Sequence, residues 1–246
     1  MSELIGKRAL VTGGSRGIGA GIALALADKG ADVAITYERS ADRAAEVVRA
    51  IEAKGRRGLA IQADSADPAA IKRSVEEAVK ELGGLDILVN NAGIARLGAV
   101  ADIGLADIDA LLNVNVRAIV LASQAAIPHL QQGGRIVSVG SSVAERALTG
   151  GATVYSLTKS ALLAFTRGLA HELGPRDITV NLVQPGATDT DMNPADSVQA
   201  DMLRALTPLG RYGTPGDVAA AVAFLASPAA RQITGAVVTV DGGLNA

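Results

Sequence analysis

The run Arg8-Ala-Leu-Val-Thr12 breaks into Gly13-Gly-Ser-Arg-Gly17-Ile-Gly19 and continues as the apolar stretch Ala20-Gly-Ile-Ala-Leu-Ala-Leu-Ala27. Strand, glycine loop and helix in that order restrict the fold more than any other stretch of the chain. The order commits the chain to a parallel sheet with a helix packed back onto it. Glycine permits the tight turn and the close approach of backbone to a pyrophosphate, whose charge is met by amides at the helix N-terminus. The spacing is Gly-x-x-x-Gly-x-Gly, and a glycine-rich turn alone serves any strand-to-helix junction. The flanking strand and helix are what favour a nucleotide. Candidate contacts are Gly13, Ser15, Arg16, Gly17, Ile18 and Gly19.

Strands and helices alternate along the rest of the chain. Asp32–Thr36, Gly58–Gln62, Asp86–Asn90, Arg135–Val139, Ile178–Val183 and Gly235–Val240 read as further strands. Between them lie amphipathic or apolar stretches. Ala41–Lys54 has Ser40 as its N-cap, and a helix opens at Asp67-Pro68. Asp107–Gln132 is mostly apolar, and Pro215–Ala226 is helical. The pattern predicts an α/β chain of 246 residues in a single domain. Its strands form one doubly wound parallel sheet with helices on both faces. Hydrophobic residues make up 49% of the chain, enough for a large core, yet no apolar run is long enough to cross a bilayer. The segment from Met1 to Arg8 lacks the shape of a signal peptide. With no cysteine, disulfides, thiolate catalysis and zinc–sulfur sites are excluded, and two histidines, His129 and His171, argue against a multi-histidine metal site. A net charge of -2 with scattered charges points away from nucleic acid and anionic membranes. The expectation is a cytoplasmic protein acting on a small molecule.

The end of the second strand is where a Rossmann-type fold places an acid on the adenine ribose. Here Thr36 follows the apolar run, and Tyr37-Glu38-Arg39-Ser40 comes next. Without an acid at the tip, the ribose 2′-position is open to a phosphate, with Arg16, Arg39 and Ser40 as its ligands. This favours NADP. The alternative, NAD, has Glu38 turned inward on a 2′-hydroxyl and both arginines solvated. Asp64 and Ser65 stand at the end of the third strand, where Asp64 either meets an adenine amino group or caps the turn.

Chemistry points to residues 142–159. Tyr155 and Lys159 lie four apart and share one face of a helix, and Ser142 lies upstream at the end of the run Arg135-Ile-Val-Ser-Val-Gly140. An ammonium beside a phenol favours the phenolate and draws its pKa from about 10 toward neutrality. Such a phenol exchanges a proton with a carbonyl or alcohol oxygen, and the Ser142 hydroxyl donates to the same oxygen. Asn115, inside the apolar helix, needs partners and is either a polar pin or part of a site. Residues 189–210, polar with a short helical patch, read as a lid.

Together these residues resemble the short-chain dehydrogenase/reductase family over essentially the whole chain. Thr12–Gly19 matches its cofactor loop, and Asn90-Asn-Ala-Gly93 matches a sheet motif whose Asn91, Ala92 and Gly93 approach the adenosine ribose. Asn115, Ser142, Tyr155 and Lys159 fall on the catalytic tetrad, and Pro185-Gly186, with Thr188 and Thr190, falls on the segment that holds the nicotinamide and phosphates. The resemblance implies a seven-stranded Rossmann-type sheet and a homotetramer or dimer. It makes Tyr155 the general acid and has Lys159 lower its pKa and bind the nicotinamide ribose. Ser142 orients the substrate, and Asn115 holds a relay water. Within the family the chain is most similar to NADPH ketoreductases of the 3-oxoacyl-carrier-protein type. Three departures stand out. Ala118–Gly134 carries no Lys or Arg for an acidic carrier protein. Ala187-Thr188 replaces a bulkier apolar pair. The lid is acidic and lacks aromatics, which suggests a modest neutral ketone or aldehyde. NAD-dependent alcohol oxidation and a nucleotide-binding regulator without turnover are the competing readings.

Overall fold

A computed structural model describes residues 3–147 and 150–246. Met1 and Ser2 of the N-terminal segment, and Leu148 and Thr149 of the Ser142–Lys159 stretch, lie outside the described residues. Seven strands form one parallel sheet in the order β3-β2-β1-β4-β5-β6-β7. They are β1 (Arg8–Val11), β2 (Asp32–Tyr37), β3 (Gly58–Gln62), β4 (Ile87–Asn90), β5 (Arg135–Val139), β6 (Thr179–Pro185) and β7 (Val237–Val240). The order reverses between β1 and β4, and register puts their carboxyl ends side by side, Val11 opposite Val89 and Asn90 opposite Ser138. A doubly wound sheet opens its ligand crevice at such a reversal.

Side-chain alternation divides the core in two. Ala9 and Val11 face α1 (Gly17–Asp28), α2 (Ala41–Glu52) and α8 (Pro215–Ala226). Leu10 faces the opposite layer, α3 (Pro68–Leu82), α5 (Ala118–Ala126) and α6 (Thr153–Leu173). Local chemistry sets several helix ends. Asp67 caps α3 by accepting from the Ala69 amide, Pro68 opens the helix, and Gly83 ends it in the left-handed region at φ 81°. Thr214 and Asp217 form a reciprocal capping box on α8. Ser40 precedes α2 as expected, but its side chain makes no cap hydrogen bond.

Several element ends differ from the sequence expectation by a few residues, and two differences bear on the site. β2 continues through Tyr37, because Thr36 is drawn inward by the glycine loop and the ladder with β3 runs on to Gln62. The long apolar helix is divided into α4 (Leu105–Leu112), a π-turn (Asn113–Arg117) and α5, and the Ala118 amide reaches back to the Asn113 carbonyl. The lid contains α7 (Ala200–Leu206). Among the described residues no helix is long and apolar enough to span a membrane, and no cluster suits a metal ion.

Candidate active site

The glycine loop is braced from both neighbouring strands. The Gly13 amide donates to Thr36 Oγ1 at 3.0 Å, and the Asn91 side-chain amide donates to the Thr12 and Gly13 carbonyls at 2.9 and 3.0 Å. Thr12 Oγ1 in turn accepts from the Asn91 and Ala92 amides, both at 3.0 Å. Thr12 and Thr36 are functional supports that sequence reading did not single out. Both were visible as hydroxyls at strand tips. Among the described residues no side chain caps α1, so its first-turn amides are left for an anion. Gly19 permits this packing. A Cβ there would stand 2.3 Å from the Gly13 carbonyl oxygen and 2.4 Å from Asn91 Nδ2. Gly19→Ala is expected to destabilise the protein by about 1–3 kcal/mol, the usual range for overpacking, which urea unfolding with and without dinucleotide would measure.

At the end of β3 Asp64 is exposed and accepts from the Ala66 amide at 2.7 Å, so it caps the turn. Ser65 lines a small cavity with Thr12, Thr36, Asn90 and Ala92. Arg39, largely exposed, pairs with Glu38 at 2.8 Å, whereas Arg16 pairs with lid residue Asp191 at 3.2 Å. Ser15 is buried, and Ile18 packs on the α1 side of the core. Across the crevice, Pro185 ends β6 and the Gly186 amide donates to the Val240 carbonyl at 3.0 Å. Thr188 is buried, with its hydroxyl on the Gly186 carbonyl at 3.1 Å. Thr190 lies against Gly17, where an added Cβ would come within 3.3 Å of its methyl group.

The candidate catalytic groups gather at the ends of β4 and β5. Lys159 is buried in α6 and donates to the carbonyl of Val139, the last residue of β5, at 3.3 Å. Its ammonium lies 5.9 Å from the centroid of the Tyr155 ring. Asn115 is fully buried in the π-turn. Its Oδ1 accepts from the Ile94 amide, and its Nδ2 donates to the Ile94 carbonyl, both at 2.9 Å, and to Thr158 Oγ1 at 3.1 Å. Thr158 Oγ1 in turn donates to the Tyr155 carbonyl at 2.7 Å. Asn115 thus ties the loop after β4 to the N-terminal half of α6, the pin reading of the sequence. Gly93 separates Asn115 from Lys159. A Cβ there would sit 3.3 Å from Nζ and 3.4 Å from Asn115 Oδ1.

One expectation changes, and a second serine enters the site. The hydroxyl that reaches the Tyr155 phenol belongs to Ser141. Ser142 begins a short 3-10 turn with its side chain buried, and its carbonyl accepts from Asn245 at 2.6 Å. The Tyr155 pKa is not drawn down by Lys159. Burial pushes the phenol up, and the Ser141 hydroxyl offsets this only in part. Burial also lowers the Lys159 ammonium to about 8, because few polar groups replace its lost hydration. The folded state therefore binds this proton less tightly than the unfolded chain, whose lysine titrates near its ordinary value. Unfolding takes up a proton between these two values, so stability is expected to rise with pH from about 8 toward 10, by at most about 1.4 kcal/mol per pH unit. Denaturation of Lys159→Met across that window should lack the rise.

The Enoyl-(Acyl carrier protein) reductase family model matches residues 13–245. The chain belongs to the short-chain dehydrogenase/reductase family. A short-chain dehydrogenase from Burkholderia cenocepacia, solved in complex with NADP, is 60% identical over 99% of this chain and 100% of that one, with a TM-score of 0.98. The 3-oxoacyl-[acyl-carrier-protein] reductase of Staphylococcus aureus is 41% identical, covering 97% of this chain and 98% of that protein. The cyclic-di-GMP-binding biofilm dispersal mediator protein of Escherichia coli is 42% identical over the full length of both. As a member of this family the chain is an NAD(P)-dependent oxidoreductase, built on the sheet described above.

Proposed function

We propose that the protein reduces a small ketone or aldehyde with NADPH, using Tyr155 as the general acid. The observation that carries this reading is the convergence of the Tyr155 phenol, the Ser141 hydroxyl and the buried Lys159 at the end of β5. The chain fits the dinucleotide: an uncapped α1, a glycine loop held by Asn91 and Thr36, and Gly93 beside Lys159. The α1 amides would hold the pyrophosphate, Asn91 to Gly93 the adenosine side, Tyr155 and Lys159 the nicotinamide ribose, and Pro185 to Thr190 the nicotinamide end. Bound NADPH supplies a hydride.

Everything else is done by the chain. Ser141 donates to the substrate oxygen and orients the carbonyl. Burial keeps the phenol protonated at neutral pH, so Tyr155 is ready to give its proton to that oxygen as negative charge develops there. The phenolate left behind is stabilised by the Lys159 ammonium one helical turn away, in surroundings of low polarity where the attraction is larger than in water. Asn115 holds the loop after β4 against α6 and so fixes the spacing.

The acidity of the lid bears less on substrate choice than its sequence suggests. Asp191 is paired with arginines, Asp201 pairs with Arg204 at 2.7 Å, and Asp189 accepts from the Ala195 amide. Its exposed apolar side chains, among them Met192, Val198, Met202 and Leu206, favour an apolar, uncharged substrate. The test is oxidation of NADPH, and in parallel NADH, against a panel of ketones, aldehydes and a 3-oxoacyl ester. Turnover of neutral ketones with NADPH preferred is the expected result. Absence of turnover on every member would reject the reading.

The relative named for cyclic-di-GMP binding favours a second reading, a nucleotide-binding regulator on the same fold. Saturable cyclic-di-GMP binding by a protein inactive on the panel would support it. Exposed Val120 on α5 and Leu157 on α6 support assembly of copies through these helices, which light scattering would measure.

A further inference from the structure

Two guanidinium groups converge on one oxygen in the crevice. Arg43 Nη1 lies 2.5 Å and Arg16 Nη1 3.2 Å from the same Oδ2 of Asp191. Arg16 comes from the glycine loop before α1, Arg43 from the first turn of α2, and Asp191 from the lid after β6. All three side chains are about half exposed, so water and solutes reach them. Among the described residues, Asp191 is the ion-pair partner of both arginines, whereas Arg39, the cation expected at a nucleotide phosphate, is turned onto Glu38. Asp191 crosses from the nicotinamide half of the sheet to reach them, with Thr190 beside it against Gly17.

A pair of arginines aimed at a single point is a receptor for an oxyanion. A phosphate monoester, with more charge and three terminal oxygens, suits it better than one carboxylate. We propose that Arg16 and Arg43 form the fork that reads the 2′-phosphate of NADP(H), and that Asp191 is its resident counter-ion and competes with that phosphate. This rests on the NADP(H) reading above and adds a selectivity residue, Arg43, and an internal competitor. The lid is latched to the adenosine side by Asp191 and is released there when the phosphate takes the fork.

The test uses the whole protein and direct binding. 2′,5′-ADP carries the phosphate without the nicotinamide, and 5′-ADP is its control; both are titrated by calorimetry, and NADPH and NADH by fluorescence. Arg43→Gln is expected to weaken 2′,5′-ADP and NADPH about ten- to a hundred-fold, the range for a lost charge-assisted hydrogen bond, with 5′-ADP and NADH unchanged. Asp191→Asn is expected to tighten 2′,5′-ADP and NADPH by up to about five-fold, the scale of an exposed ion pair, and to leave 5′-ADP and NADH alone. Equal losses for phosphorylated and unphosphorylated ligands in Arg43→Gln, or no loss, would overturn the fork. Weaker 2′,5′-ADP binding in Asp191→Asn would overturn the competition and make Asp191 a clasp over bound nucleotide. Failure of the unaltered protein to bind any of the four would reject the NADP(H) reading, and the fork with it.

Discussion

Tyr155→Phe is expected to lower kcat by about 10²–10⁴-fold, the usual contribution of a positioned acid, while the Kd for NADPH rises by no more than about ten-fold, the loss of one hydrogen bond, since aromatic packing is kept. The variant removes one oxygen and leaves the ring in its half-buried place on the first turn of α6. Lys159 keeps its bond to the Val139 carbonyl, and Asn115 keeps its bonds to Ile94, so the frame survives. What is lost is the proton that must reach the substrate oxygen as hydride arrives. Retained turnover would remove Tyr155 from the mechanism. The pH profile adds a second readout. The phenol is held protonated by burial, so reduction should not lose its acid in the neutral range. The Lys159 ammonium has a pKa of about 8, so support for the phenolate, and the rate with it, should decline above that point. Stopped-flow single turnovers across pH 6 to 10 would separate this limb from product release.

Ser141→Ala and Ser142→Ala form the second test, because adjacent hydroxyls are assigned opposite importance. Ser141→Ala is expected to cost about 10²–10³ in kcat, the value of one donor to a developing oxyanion. Ser142→Ala should change kcat by less than about three-fold, as for a residue outside the reacting groups. The backbone explains the difference. Ser141 is extended, at φ -166° and ψ 148°, and its side chain reaches Tyr155 while also accepting from the Val143 amide. At Ser142 the chain has turned into a 3-10 helix, and the residue is buried. Loss of the cap makes Ser141→Ala less stable by about 1 kcal/mol, so melting curves should accompany the kinetics. A larger loss in Ser142→Ala than in Ser141→Ala would return the role to Ser142.

The glycine loop, the alternation of strands and helices and the Tyr155–Lys159 spacing depend on local rules: the freedom of glycine, apolar periodicity and the helical repeat. Residues 8–27 therefore spell strand, loop and helix by themselves, and Asp67-Pro68 marks its own helix start. The division at Asn113–Arg117 was not legible, because a π-turn keeps the apolar pattern of the helix it interrupts. Nor was Thr12 as the hub of the glycine loop, since its partner Asn91 lies 79 residues away.

By itself the sequence determined the fold class, the place of the crevice and the residue types in it, because each follows from neighbours along the chain. Only the tertiary structure decided which of two adjacent serines meets Tyr155, which way the Lys159 and Tyr155 pKa values move, and that Arg43 joins Arg16 on Asp191, 148 residues from Arg43. Those outcomes depend on direction and desolvation, which exist only when distant segments are packed against one another.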